Sequence, residues 1–129
     1  MSFKLGKSSK INLKGVNAQL YAIIELALTI SKVDFGIPSN GGLRTADEQH
    51  KLFIEGQSQL DGYNKKSNHQ SGNAFDVFAY VDGAASYDEK DLLEVATAIL
   101  AAASQLKIRL RWGGHWVNFV DIPHFELVI

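Results

Sequence analysis

A chain of 129 residues, 46% hydrophobic and 21% charged, suits one globular domain with a real core and lies far from the composition of disordered segments. Its formal net charge is −1, and its basic residues are scattered apart from Lys65-Lys66 and Arg109/Arg111, so no electrostatic footprint for nucleic acid is present and none is expected as a partner. With no cysteine, neither a disulfide framework nor a thiolate zinc knuckle can form, and any bound metal must rest on imidazole and carboxylate.

The start, Met1-Ser2-Phe3-Lys4-Leu5-Gly6-Lys7, has no uninterrupted apolar run, and the best apolar stretch, Leu20 to Ile30, is broken by Glu25 and shorter than a membrane span. Neither a signal peptide nor stable membrane insertion is expected. From Val16, the residues Leu20, Ile23, Ile24, Ala27 and Leu28 recur at helical spacing, with Asn17 as N-cap, which predicts a helix to about Ser31. Phe35-Gly36-Ile37-Pro38 reads as extended and Ser39-Asn40-Gly41-Gly42 as a turn. Thr45-Ala46-Asp47-Glu48 has the capping-box pattern, predicting a second helix from Ala46 to about Glu55 that stops at Gly56, with Arg44 just outside its N-terminus.

Residues 57–68 lack apolar periodicity and read as a long surface loop, a feature that in compact domains is commonly functional. Ala74 to Val81 reads as one strand ended by Asp82-Gly83. Asp88 opens a third helix with the stripe Leu92, Val95, Ala96, Ile99, Ala103 and Leu106. Ile108 to Trp112 alternates apolar and basic residues as a half-buried strand does, Gly113-Gly114 ends it, and a last strand runs from about His124 to Val128 after Pro123. The element order predicts an α+β domain: a small, mainly antiparallel sheet packed against about three helices.

Two stretches pair imidazole with carboxylate: Ser67-Asn68-His69-Gln70-Ser71-Gly72-Asn73-Ala74-Phe75-Asp76 and Asp121-Ile122-Pro123-His124-Phe125-Glu126. A catalytic zinc site needs three protein ligands and an open position for water, which His69, Asp76 and His124 would satisfy. Spacing alone fits equally well a surface-loop histidine and an isolated strand carboxylate. Asp76 is the informative residue, because a carboxylate between Phe75 and Val77 in an apolar strand needs a partner.

The pattern Ser-x-His-x-x-Gly-x-Ala-x-Asp, met by Ser67, His69, Gly72, Ala74 and Asp76, with an acidic residue three before a histidine, met by Asp121 and His124, resembles the zinc D-Ala-D-Ala peptidase superfamily. The nearer resemblance is to its L-alanyl-D-glutamate endopeptidase branch of phage endolysins and bacterial wall hydrolases. It extends from the Met-Ser-Phe-Lys-Leu-Gly start through Gly42-Leu43-Arg44-Thr45 and Trp112-Gly113-Gly114 to Pro123-His124-Phe125-Glu126-Leu127.

The resemblance implies one domain over residues 1–129 without a separate wall-binding module, and a cleft on the sheet holding one zinc through His69, Asp76 and His124. It makes Asp121 the catalytic base, where turn formation before Pro123 is the plainer role of such an aspartate. It places Arg44 beside the metal as an oxyanion or carbonyl donor, where an arginine ahead of a helix is otherwise solvated. Ser67 would contact substrate or brace its loop, and Trp112 would form a cleft wall or pack in the core. Glu126, two residues after His124 on a strand, would orient the ligand histidine or face solvent. His115 departs from the branch, which often has aspartate there, and is assigned to substrate contact.

The implied reaction is zinc-dependent hydrolysis of the L-Ala-D-Glu bond in peptidoglycan stem peptides. Cleavage of a D-Ala-D-Ala bond by a carboxypeptidase or dipeptidase with the same site is the alternative. A non-catalytic binding domain, as in the signalling domain of hedgehog proteins, is the reading from another class. The substrate lies outside the inner membrane, so synthesis in the cytoplasm, action in the periplasm or wall after release by a holin-like pore or another dedicated route, and a monomeric state are expected.

Overall fold

The computed structural model describes residues 2–129; Met1, at the head of the stretch expected to lack an apolar leader, lies outside them. Among the described residues no helix is long and apolar enough to cross a membrane. The Leu20–Ile30 stripe forms helix α2 (Ala18–Ile30), preceded by a short α1 (Lys7–Asn12) that the periodicity did not announce. The Asn17 side chain caps α2 by accepting from the Gln19 amide, and Leu20, Ile23, Ile24, Ala27 and Leu28 are its buried face. Helix α4 (Glu89–Leu106) packs against α2 through Leu92, Val95, Ala96, Ile99, Ala102 and Ala103, whereas Leu106 in its last turn is exposed. Small alanines on α4 let the two helices approach closely.

The strands form two three-stranded antiparallel sheets rather than one. The apolar run 74–81 is shared between them. β2 (Ala74–Asp76) joins β6 (His124–Leu127) and β5 (Leu110–Trp112), while β3 (Phe78–Val81) joins β1 (Asp34–Gly36) and β4 (Ala84–Ser86). The crossover is at Val77, which is buried and whose amide donates to the Pro123 carbonyl, one step beyond the last β2/β6 pair. A continuous apolar pattern carries no mark of such a change of partner, because both sheets bury the same face of the chain.

In the β2/β6 pairing, Phe75 lies opposite Phe125, their rings stacked at 5.3 Å, and Trp112 of β5 stacks on Phe125 at 6.3 Å. These rings join the core. Strand alternation then turns the flanking pair, Asp76 opposite His124, to the other face of the sheet, where the cleft lies. Helix α3 (Ala46–Ile54) starts at the capping box, with the Thr45 hydroxyl accepting from the Glu48 amide and the Glu48 carboxylate from the Thr45 amide.

Candidate metal centre and active site

Directly paired residues of an antiparallel ladder hold their side chains roughly 5 Å apart at Cβ, so the register alone brings Asp76 and His124 together. Asp76 Oδ1 lies 2.9 Å from His124 Nδ1. The third member, His69, comes from the long loop and is held from both sides. Its amide donates to Ser67 Oγ, its carbonyl accepts from the Arg44 amide, and its Nδ1 lies 2.9 Å from the Gly42 carbonyl oxygen. Residue 42 must be glycine where its backbone passes the end of α1, since a Cβ there would fall 2.1 Å from the Asn12 carbonyl oxygen.

His69 Nε2 stands 3.2 Å from His124 Nδ1 and 3.3 Å from Asp76 Oδ1, so three ligand atoms form a triangle with edges of 2.9–3.3 Å. Tetrahedral zinc with bonds of about 2.0–2.1 Å separates its ligand atoms by roughly 3.3 Å, so the triangle is the right size with slight contraction. The hydrogen bonding is also right. A carbonyl can only accept, so His69 Nδ1 carries a proton and donates to Gly42, turning the Nε2 lone pair inward. His124 Nε2 lies 2.8 Å from Glu126 Oε1 and donates to it, turning Nδ1 inward. With His124 Nδ1 bare, two imidazole lone pairs and a carboxylate oxygen converge at these distances and repel one another unless a cation joins them. A proton on Nδ1 does so in the metal-free protein, and the donor set equally fits a divalent metal.

Charges in the pocket respond to the same crowding. Burial works to lower the His124 pKa, yet hydrogen bonds to Asp76 and Glu126 outweigh it and hold it at about 9. Burial works to raise Asp76, but the contacts with His124 and His69 keep it well below the usual carboxylate range. Asp121 behaves oppositely. Burial, then the nearby Asp76 charge, push its pKa up against the pull of His124, His69 and Arg44.

Asp121 stands on the turn before β6, lining the same cleft as His69, Asp76 and His124. The Gly113 carbonyl accepts its amide, and a Cβ at residue 113 would lie 2.2 Å from the Asp121 carbonyl oxygen. The Trp-Gly-Gly stretch thus lets the backbone carrying Asp121 close onto the 3-10 turn Gly113–His115.

Arg44 does not stand free to face a substrate oxygen. Three of its five N–H groups are spent, donating to the Asn40 carbonyl, Gln49 Oε1 and Asp76 Oδ2, the last at 3.0 Å. Its geometry makes it a positioning residue for Asp76, with only the remaining N–H groups open to the cleft. Ser67 is buried, and its hydroxyl braces the His69 amide while the residue also lines the cleft. Glu126 is buried against His124, with Asn68 Nδ2 donating to its second oxygen at 2.8 Å and Arg111 at 3.4 Å.

Trp112 and His115 lie elsewhere. Trp112 packs on the core, its indole N–H donating to the Ile122 carbonyl, and so makes no cleft wall; the aromatic wall is Trp116, whose ring centre is 5.2 Å from that of His124. The exposed ring of His115 leans edge-on against Trp112, and His115 is absent from the cleft lining, so the geometry gives it no substrate contact. Sequence reasoning also passed over Gln49 and Asn68. Gln49 is fully buried on α3 and ties Arg44 to Ser58 Oγ and the Leu60 carbonyl. An amide at a core position of a helical pattern was the one available signal for it.

The cleft encloses about 440 Å³ between the loop 57–68 and the segment Trp116 to Asp121. Residues 1–128 match the family model described as phage L-alanyl-D-glutamate peptidase. The chain is 33% identical over 117 residues to the L-alanyl-D-glutamate peptidase of Escherichia phage T5, a match covering 90% of this chain and 83% of that protein. The crystal structure of Serratia marcescens L-Ala D-Glu endopeptidase ChiX superposes with a TM-score of 0.84 at 34% identity, covering 97% of this chain and 90% of the other. With one sequence family spanning the chain and one fold shared at this identity, the protein belongs to the phage L-alanyl-D-glutamate peptidase family.

Proposed function

We propose that this domain is a zinc-dependent peptidoglycan hydrolase that cuts the bond between L-Ala and D-Glu in stem peptides, with His69, Asp76 and His124 as metal ligands and Asp121 as proton carrier. The observation that carries the reading is the triangle of inward-facing ligand atoms beside Asp121, whose carboxylate has no hydrogen bond among the described residues and a raised proton affinity. Bound in the triangle, zinc would supply Lewis acidity toward the scissile carbonyl and an activated water.

The chain's own residues do the rest. Asp121 accepts the proton of the attacking water, a task favoured by the burial and the Asp76 charge that raise its affinity for protons. It then returns that proton to the departing amine, so the same carboxylate serves as base and acid. Glu126 and the Gly42 carbonyl fix the two histidine rings, and Arg44 holds the free oxygen of Asp76 so that the other faces the ligand triangle. Trp116, Phe119, Leu52 and Leu60 add apolar surface to the lining of the cleft.

Because Arg44 acts on a ligand, Arg44→Ala is expected to weaken zinc binding by roughly 10–100-fold, the usual cost of removing such a partner, and to lose activity in step with zinc occupancy. Competition with a chromophoric chelator measures the affinity. Unchanged affinity with lost turnover would return Arg44 to a role on the substrate.

The domain carries its site within residues 1–129, and we assign to it a single chain acting as a monomer on the wall, reached from the cytoplasm through a holin-like pore or a comparable route. Digestion of purified peptidoglycan, with and without a chelator, tests the reaction. The expected result is a chelator-sensitive cut that exposes a new D-Glu amino terminus; released D-Ala alone would establish the D-Ala-D-Ala alternative, and a chelator-insensitive cut would remove zinc from the reaction.

A further inference from the structure

A glutamate inside a peptide is joined to its neighbour through only one of its two carboxyl groups. Whichever carboxyl continues the chain, the other is a free carboxylate, two or four bonds from the scissile nitrogen. A cleft that recognises this residue therefore needs a cation on the leaving-amine side, and the charges lining the cleft leave one candidate.

Asp76, Asp121 and Glu126 are the carboxylates there, beside the two ligand histidines; Arg44 and Lys66 are the cations. Arg44 is committed to Asp76, Gln49 and Asn40. Lys66 is exposed, and no carboxylate among the described residues lies within ion-pair distance of it.

The backbone beneath Lys66 is held on both sides. The Ser67 amide donates to Gln70 Oε1, the Gln70 side-chain Nε2 donates to the Gly62 carbonyl, and the Gly62 amide donates to the Lys65 carbonyl. Lys66 is three residues from His69, so its Cα lies within about 11 Å of that ligand's Cα even for a fully extended chain. Lys66 lines the same cleft as His69, Asp76 and His124. The adjacent Lys65 does not line the cleft.

We propose that Lys66 is a specificity-determining residue that binds the free carboxylate of the D-Glu residue and so selects an acidic residue on the leaving-amine side of the scissile bond. The proposal rests on the reading that the L-Ala-D-Glu bond is the one cut. Its physical content is a charge-assisted hydrogen bond in a partly desolvated cleft whose other side-chain cation, Arg44, already spends three of its five N–H groups on Asp76, Gln49 and Asn40.

The test uses two synthetic stem peptides that differ only in whether that carboxylate is free or converted to its amide. The zinc-loaded wild type is expected to cleave the acid with kcat/KM about tenfold above the amide, a difference of about 1.4 kcal/mol. Lys66→Ala should lose that tenfold through KM on the acid alone, Lys66→Glu should invert the preference, and Lys66→Arg should retain it. Lys65→Ala should behave as wild type.

Binding gives a readout free of turnover: in an Asp121→Asn background, calorimetry should show Lys66→Ala weakening the acid peptide and not the amide. Equal losses on both peptides, or a wild type that does not distinguish them, would overturn the role of Lys66. A wild type that fails to cut either peptide between L-Ala and D-Glu would instead overturn the proposed reaction.

Discussion

Asp121→Ala is expected to bind zinc as tightly as the wild type and to hydrolyse peptidoglycan at least about a thousandfold more slowly, the middle of the range that a positioned acid-base group contributes. The asymmetry follows from placement. Asp121 lines the cleft but makes no hydrogen bond to His69, Asp76 or His124, whose ring orientations are set by the Gly42 carbonyl and Glu126 and whose carboxylate is set by Arg44. Truncation also removes a carboxylate whose ionised form is disfavoured by burial and by Asp76, so the metal-free protein has no reason to lose stability. The measurement is zinc content after gel filtration together with turnover on purified sacculi. Loss of zinc would make Asp121 a ligand, and turnover within tenfold of wild type would remove it from proton transfer.

Two members of the candidate metal group, Asp76 and His124, stood out in the sequence because each is a polar group beside apolar neighbours. A carboxylate flanked by Phe75 and Val77, and a histidine three residues after Asp121 and beside Phe125, call for polar or charged partners. What brings them together was not legible. Asp76 meets His124 through a register between segments nearly fifty residues apart, and register depends on which strands pair, which the apolar run 74–81 conceals by serving two sheets.

The direction of a long side chain was likewise hidden. Arg44 sits just ahead of α3 as its pattern implied, yet whether its fork meets substrate or Asp76 depends on Gln49 and Asn40 holding the guanidinium from behind. The two tryptophans show the same limit. Strand position sends Trp112 onto Phe125, whereas Trp116, four residues on and past the glycine turn, faces His124.

Zinc binding should release about one proton between pH 6.5 and 9, and this linkage sets the pH range in which the enzyme is loaded. In the metal-free protein the proton on His124 Nδ1 occupies the position between the imidazole and Asp76 where the metal would sit, and the carboxylates on either side hold the pKa at about 9. Metal requires that nitrogen bare, so apparent zinc affinity should fall by about tenfold for each pH unit below 9 until other groups titrate. Stability of the metal-free form runs the other way. A histidine whose folded pKa exceeds its unfolded value of about 6.5 contributes stability that is fully present below pH 6.5 and is lost as pH rises through 9. The gap in melting temperature between zinc-loaded and stripped protein should therefore widen from pH 6 to pH 9, since alkaline conditions weaken the stripped form and strengthen binding. Calorimetry in buffers of differing ionisation enthalpy counts the proton directly. A gap independent of pH, with no proton released, would mean that the metal does not bind at His124 Nδ1, and His124→Ala would then leave affinity unchanged instead of abolishing it.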